Sequence, residues 1–147
     1  MSVNIHIQAE DFFVADEIEA LTTQTTGAVA SFIGLVRGDD GLTALTLEHY
    51  PGMTEREIAR IAGEAQKRWP LEGITIIHRV GRLEVGERIV LVAVAAAHRG
   101  AAFSACEFLM DYLKTQAPFW KQEERGGQTA GVEHRASDAA AAERWRK

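Results

Sequence analysis

The sequence predicts an α+β fold, and three observations carry that prediction. Short segments with apolar–polar alternation or β-branched runs recur along the chain, as at residues 3–7 and 74–80. Between them lie segments whose apolar residues return at spacings of three and four, the mark of a helix with one buried face. The resulting order, β-α-β-β-α-β-β-α, includes strands joined directly by hairpins, which argues against a doubly wound parallel sheet.

Residues 3–7 (VNIHI) alternate as a half-buried strand, with His6 on the polar side. Residues 11–23 read as a helix anchored by Phe13, Ile18 and Leu21, with acidic residues early, where the helix dipole favours them. Residues 27–36 are a strand that runs into the turn-rich loop 37–41 (RGDDG), and residues 42–50 are the next strand. Pro51-Gly52 is a turn, and Thr54 with Glu57 fits a T-x-x-E capping box. The helix it opens carries Ile58, Ile61, Ala62, Ala65 and Trp69 on one stripe and stops at Trp69-Pro70.

Residues 74–80 form a β-branched strand, 81–86 a connection, and 88–97 an almost wholly apolar strand that belongs in the middle of a sheet. Residues 101–117 form a helix with Phe103, Cys106, Leu109, Met110 and Leu113 as its buried stripe. Pro118 ends it, because proline donates no N–H and disfavours helical geometry in Ala117. A polar, glycine-rich loop or hairpin tip follows Lys121. Residues 132–135 read as a short edge strand and 139–145 as a last helix.

The 147 residues suit one domain with a real core. A formal charge of -5 argues against sequence-independent nucleic-acid binding. One cysteine excludes an internal disulfide framework, and Cys106 itself sits in a helical stripe as a small hydrophobe. No apolar run is long enough to span a bilayer and no signal peptide stands at the start, so the expected location is the cytoplasm. The scattered histidines form no metal-ligand spacing, and no phosphate-binding glycine loop or nucleophile elbow is present.

The chemistry is expected at residues 110–121 (MDYLKTQAPFWK). Lys114 lies on the shoulder of the helix stripe, ~80° from its centre at about 100° per residue. Its stem can follow apolar surface while its amine reaches a cleft. Lys121 follows the helix stop beside two aromatics. Two amines at an apolar edge suit an anionic substrate, and desolvation with a neighbouring cation prepares a lysine for acid–base work. An ion pair with Asp111, three residues earlier, is the rival explanation of Lys114. Arg37 at a strand end is either a solvated loop residue or an anion clamp. His98 and Arg99 stand where a strand meets a helix N-terminus, a ready anion site, though capping and a surface salt bridge account for them equally well.

Four stretches together resemble the large, catalytic subunit of molybdopterin synthase: residues 32–37 (FIGLVR), 45–55 (LTLEHYPGMTE), 97–99 (AHR) and 110–121. Residues 68–71 (RWPL) and 77–81 (IHRVG) fit as well, so the resemblance spans nearly the whole chain in order. It implies an α/β-hammerhead type of α+β fold: a mixed or antiparallel sheet with packed helices, and a further small antiparallel β subdomain. It implies conversion of a cyclic pyranopterin monophosphate to molybdopterin, the dithiolene ligand of the molybdenum cofactor. The two sulfurs would come from the C-terminal Gly-Gly thiocarboxylate of a small ubiquitin-like partner, two such partners flanking a homodimer of large subunits.

By the same resemblance Lys114 and Lys121 are catalytic. Arg37, His98 and Arg99 bind phosphate and pterin, and Gln122 and Glu123 line the pocket. The chain has Leu35 where the family often has lysine, so a contact there would come from the backbone of Leu35 or Val36. It has Gln122 where the family often has arginine. Arg135 could reach a neighbouring subunit's pocket. No cofactor or metal is implied, since the sulfur arrives already activated and the subunit need only position and polarise. The competing reading is a non-enzymatic α+β module that binds an anion or a partner's tail.

Overall fold

The computed structural model describes residues 1–131 and 141–146. Two four-stranded sheets carry the fold. The first has the order β1-β4-β6-β2 and comprises β1 (Ser2–Gln8), β4 (Gly73–Arg79), β6 (Arg88–Ala96) and β2 (Ala28–Leu35). It is mixed: β1 runs parallel to β4, while β4–β6 and β6–β2 are antiparallel. The apolar β6 is an interior strand, as its composition demands, and Leu91 to Ala96 are buried on both faces.

Helices α2 (Met53–Arg68) and α3 (Arg99–Gln116) cover one face. They seal a core of Ile58, Ile61, Ile74, Ile76, Val92, Val94, Phe108 and Leu109. Phe108 is fully buried, edge-on to Trp69 at 5.4 Å, and such burial stabilises by about 1.5–3 kcal/mol. The short α1 (Val14–Leu21) closes the other face through Leu21, with Phe12 beside it.

The second sheet is antiparallel, order β5-β3-β7-β8, built from β5 (Gly81–Glu84), β3 (Leu42–His49), β7 (Phe119–Arg125) and β8 (Gln128–Gly131). Its own core is Val36, Leu42, Leu45, Leu47 and Leu83. The α+β class, the mixed main sheet and the smaller antiparallel one agree with expectation.

Several local expectations are corrected. Phe13 is 74% exposed and Phe12 is the buried anchor. Phe13 stands at the N-cap with extended backbone, where successive side chains point to opposite sides. Phe103 is 66% exposed; Phe108 and Tyr112 are the buried aromatics of the helix in its place. The Thr54–Glu57 capping box does not form. Gly52, at φ 86°, is the N-cap of α2, and the Glu55 carboxylate accepts its N–H at 2.9 Å. Glu57 pairs with Arg60 instead.

The connection 81–86 contains β5, because the backbone turns at Gly81 (φ 94°) and Gly86 (φ 91°) and exposes one edge to β3. The polar stretch after Lys121 is mostly strand, with the hairpin tip at Gly126-Gly127. The expected edge strand 132–135, with Arg135, lies outside the described residues, as does the start of the last helix; residues 141–143 are helical.

Candidate functional site

A cavity of about 820 Å³ opens where the two sheets meet beneath the C-terminal end of α3. Each element brings a definite contribution. The last two turns of α3 supply Met110, Leu113 and Lys114, and at Lys114 the helix dipole favours a cation. Strand β7 supplies Phe119, Lys121 and Glu123, alternate residues that share one face. The end of β2 and the loop beyond it supply Leu35, Val36, Arg37 and Asp39. Strand β4 supplies His78, and β6 contributes Ile89 and Val90 to an apolar wall.

The two lysines therefore converge on one space from a helix end and a strand start, with the Pro118 turn between them. Thr54 fixes that turn. Its buried hydroxyl donates to the Pro118 carbonyl at 2.8 Å and accepts the Tyr50 N–H at 2.9 Å.

The rival pairing for Lys114 is not realised. Asp111 accepts from Arg144 Nη2 at 2.7 Å and from Trp145 Nε1 at 2.5 Å, so its carboxylate is committed to the C-terminal segment. Arg37 lies at the rim, exposed, and pairs with Asp39 at 2.9 Å. Glu123 is held by Arg125 at 2.6 Å, and Arg125 also donates to the Asp40 carbonyl, which ties the loop to β7.

Not every expected residue meets there. Gln122 sits on β7 between Lys121 and Glu123, so the alternation of the strand turns it to the other face. His98 and Arg99 are exposed at the opposite end of α3. At about 1.5 Å rise per residue they stand roughly 22 Å along the helix from Lys114. His98 is the N-cap and makes no side-chain capping bond.

His78, not among the expected site residues, lies in the same cavity. Its ring stacks on Phe119, with centroids 3.8 Å apart and planes 17° apart, and Nδ1 lies 2.9 Å from the Arg79 carbonyl. Burial first, and then the charges of Lys114, Lys121 and His49, push its pKa down to about 4. A signal for it existed: His78 has the strand parity of the core residues Ile74 and Ile76. Among the described residues no group of His, Cys, Asp and Glu is arranged to hold a metal ion. Cys106 is buried, its thiol pushed up to about 11 mainly by that burial, so it is no nucleophile.

Fold and cavity together define an α+β protein with two lysines and a rim arginine at one largely apolar cleft, an arrangement that suits an anionic ligand. The family model described as MoaE protein matches residues 7–116. A relative from Mesorhizobium japonicum, named molybdopterin synthase catalytic subunit, is 56% identical over 151 residues, which is 99% of this chain and 95% of its own. A solved structure, the molybdopterin biosynthesis MoaE protein from Burkholderia ambifaria, is 50% identical with a TM-score of 0.85 over 97% of either chain. Another, the molybdopterin synthase from Staphylococcus aureus, is 31% identical with a TM-score of 0.82 over 88% of this chain and 96% of that one. The chain belongs to the MoaE protein family.

Proposed function

We propose that this chain is the catalytic subunit of a molybdopterin synthase, acting in the cytoplasm in molybdenum cofactor biosynthesis. It converts cyclic pyranopterin monophosphate to molybdopterin with two sulfurs delivered as the C-terminal thiocarboxylate of a small ubiquitin-like partner. The observation that carries the reading is the convergence of Lys114 and Lys121 on one cavity, in a chain with relatives of that name over its whole length.

The chemistry follows from the side chains. A phosphorylated substrate and a carboxylate-derived leaving group are both anionic, and fixed ammonium groups in an apolar cleft stabilise charge that develops there. Lys114 works nearest the reacting carbons, as proton donor and acceptor or as electrostatic stabiliser. Lys121 holds the intermediate. Arg37 exchanges its Asp39 partner for the substrate's phosphate. No cofactor is required, because the sulfur enters already activated.

His98 and Arg99 are too far from Lys114 along α3 to share its substrate within one chain. In the homodimer of this reading they bind substrate in the cavity of the second copy.

The test mixes the purified chain with a thiocarboxylated partner and the cyclic substrate and follows the fluorescent oxidation product of molybdopterin. Product with the wild type and none with Lys114→Ala supports the reading. A demonstrated complex with the partner but no product from the wild type leaves a binding module. Lys114→Arg separates the two further, since arginine keeps the charge and donates no proton at neutral pH.

A further inference from the structure

The cavity's cations share a limitation. Ammonium and guanidinium groups only donate hydrogen bonds, so Arg37, Lys114 and Lys121 bind the anionic and other acceptor groups of a ligand and none of its donors. Of the two carboxylates at the cavity, Glu123 pairs with Arg125 at 2.6 Å, and Asp39, paired with Arg37 at 2.9 Å, is an exposed residue of the mouth that water still reaches. A heterocyclic substrate also carries ring N–H and amine donors, and these need an acceptor once water is excluded.

His78 supplies one. The Arg79 carbonyl opposite Nδ1 can only accept, so the 2.9 Å contact fixes the proton on Nδ1. Nε2, on the far side of the ring, is left with a lone pair. Among the described residues no protein group donates to it, and no buried side-chain nitrogen or oxygen is left unpaired, so Nε2 faces the open cavity. The stack on Phe119 fixes the plane of the ring, and strand β4 fixes its depth. Burial and the flanking Lys114 and Lys121 hold the imidazole neutral at physiological pH, so the lone pair is not lost to a proton. Among the described lining residues the other side-chain acceptors are the Met110 thioether, which accepts weakly, and the ion-paired Asp39 and Glu123, so His78 is the neutral nitrogen acceptor of the cavity.

We propose that His78 is a specificity-determining residue of the site, its Nε2 accepting a hydrogen bond from a ring N–H or exocyclic amine of the substrate's heterocycle while the cations hold the phosphate. This rests on the reading of the cavity as the site for a phosphorylated pterin. It explains how a lysine-rich cleft distinguishes such a substrate from simple phosphate esters. Removing an acceptor of this kind weakens binding of the donor-bearing ligand about 3- to 10-fold. It does so equally in ground and transition states, so KM rises and kcat holds.

The direct experiment is ¹⁵N NMR of the wild-type chain with labelled histidine. Substrate should move the His78 Nε2 resonance upfield, as for an imidazole nitrogen that gains a hydrogen bond, and sulfate, an anion without donors, should leave it in place. His78→Phe, which retains a ring to stack on Phe119, should raise KM 3- to 10-fold with kcat within about 2-fold and an unchanged inhibition constant for sulfate. His78→Gln, which restores an acceptor oxygen, should recover most of the loss. An Nε2 resonance unmoved by saturating substrate in a wild type that turns over overturns the role of His78 and leaves the function standing; this arm does not depend on whether the variants fold. A wild type that neither binds nor converts the substrate overturns the reading beneath it.

Discussion

Thr54, fully buried at the start of α2, donates its hydroxyl proton to the carbonyl of Pro118 at 2.8 Å, across 64 residues of sequence. Because the same oxygen accepts the Tyr50 N–H, one side chain ties the β3–α2 turn to the turn that separates Lys114 from Lys121. Thr54→Val keeps the shape and strands both backbone groups. We expect a loss of about 1–3 kcal/mol in unfolding free energy. Turnover should fall by more than substrate affinity, since the lysines lose their mutual placement. Urea unfolding beside steady-state kinetics checks this; a variant of normal stability would show that the tie carries no energy.

Lys114→Ala should abolish dithiolene formation, a fall on the order of 10²-fold or more, with the fold intact. Lys114 is exposed at the end of α3, and its removal leaves no buried polar group behind. Thermal unfolding should be within about 0.5 kcal/mol of the wild type. Near-normal turnover by this variant would move the chemistry to Lys121.

His78 makes stability depend on pH in a defined window. Its pKa in the folded chain is about 4 against an ordinary 6.5, so between these values the unfolded chain binds the proton more readily. Its contribution is complete above pH 6.5, is lost as pH falls towards 4, and changes no further below that. The full loss is about 3 kcal/mol at most. Comparing urea unfolding of the wild type and His78→Gln between pH 7.5 and 5, with every other titrating group common to both proteins, isolates the effect. Parallel curves for the two proteins would refute it.

Arg37 and Asp39 form an exposed pair at the mouth of the cavity. If Arg37 exchanges Asp39 for phosphate, then Asp39→Asn should lower KM about 2- to 5-fold, most visibly at low salt, because an exposed pair is worth only about 0.2–1 kcal/mol. Arg37→Ala should raise KM. Steady-state kinetics at two ionic strengths measures both, and an unchanged KM in both variants would remove Arg37 from the binding site.

Asp111 holds the C-terminal segment through Arg144 and Trp145, whose indole packs edge-on against Phe108 at 5.6 Å and Trp69 at 5.7 Å. Asp111→Ala should release that segment. The expected signs are a red shift in tryptophan fluorescence and a stability loss of about 1–3 kcal/mol. A spectrum identical to the wild type would mean that apolar packing alone retains Trp145.

Much of the local structure was legible in the order of residues. Strands β1, β2, β3, β4 and β6 and helices α1, α2 and α3 follow from side-chain periodicity, because burial of one face imposes a period of two or of 3.6 on the residues themselves. Pro118 places Lys114 and Lys121 on either side of a helix stop, so their nearness is a property of the chain. Strand β5 was not legible, since four residues with one buried leucine carry too little pattern, and β7 is too polar.

By itself, then, the sequence determined the class of fold, the two lysines and the family to which the chain belongs. The tertiary structure alone decided that Phe108 and not Phe103 is buried, that Gln122 turns away from the cavity while Glu123 faces it, and that His98 and Arg99 stand at the far end of α3. It also brought His78 from β4 against Phe119 on β7. The reason is physical: periodicity records which side of an element is buried, whereas the partner on that side is set by pairing between strands and helices far apart in sequence.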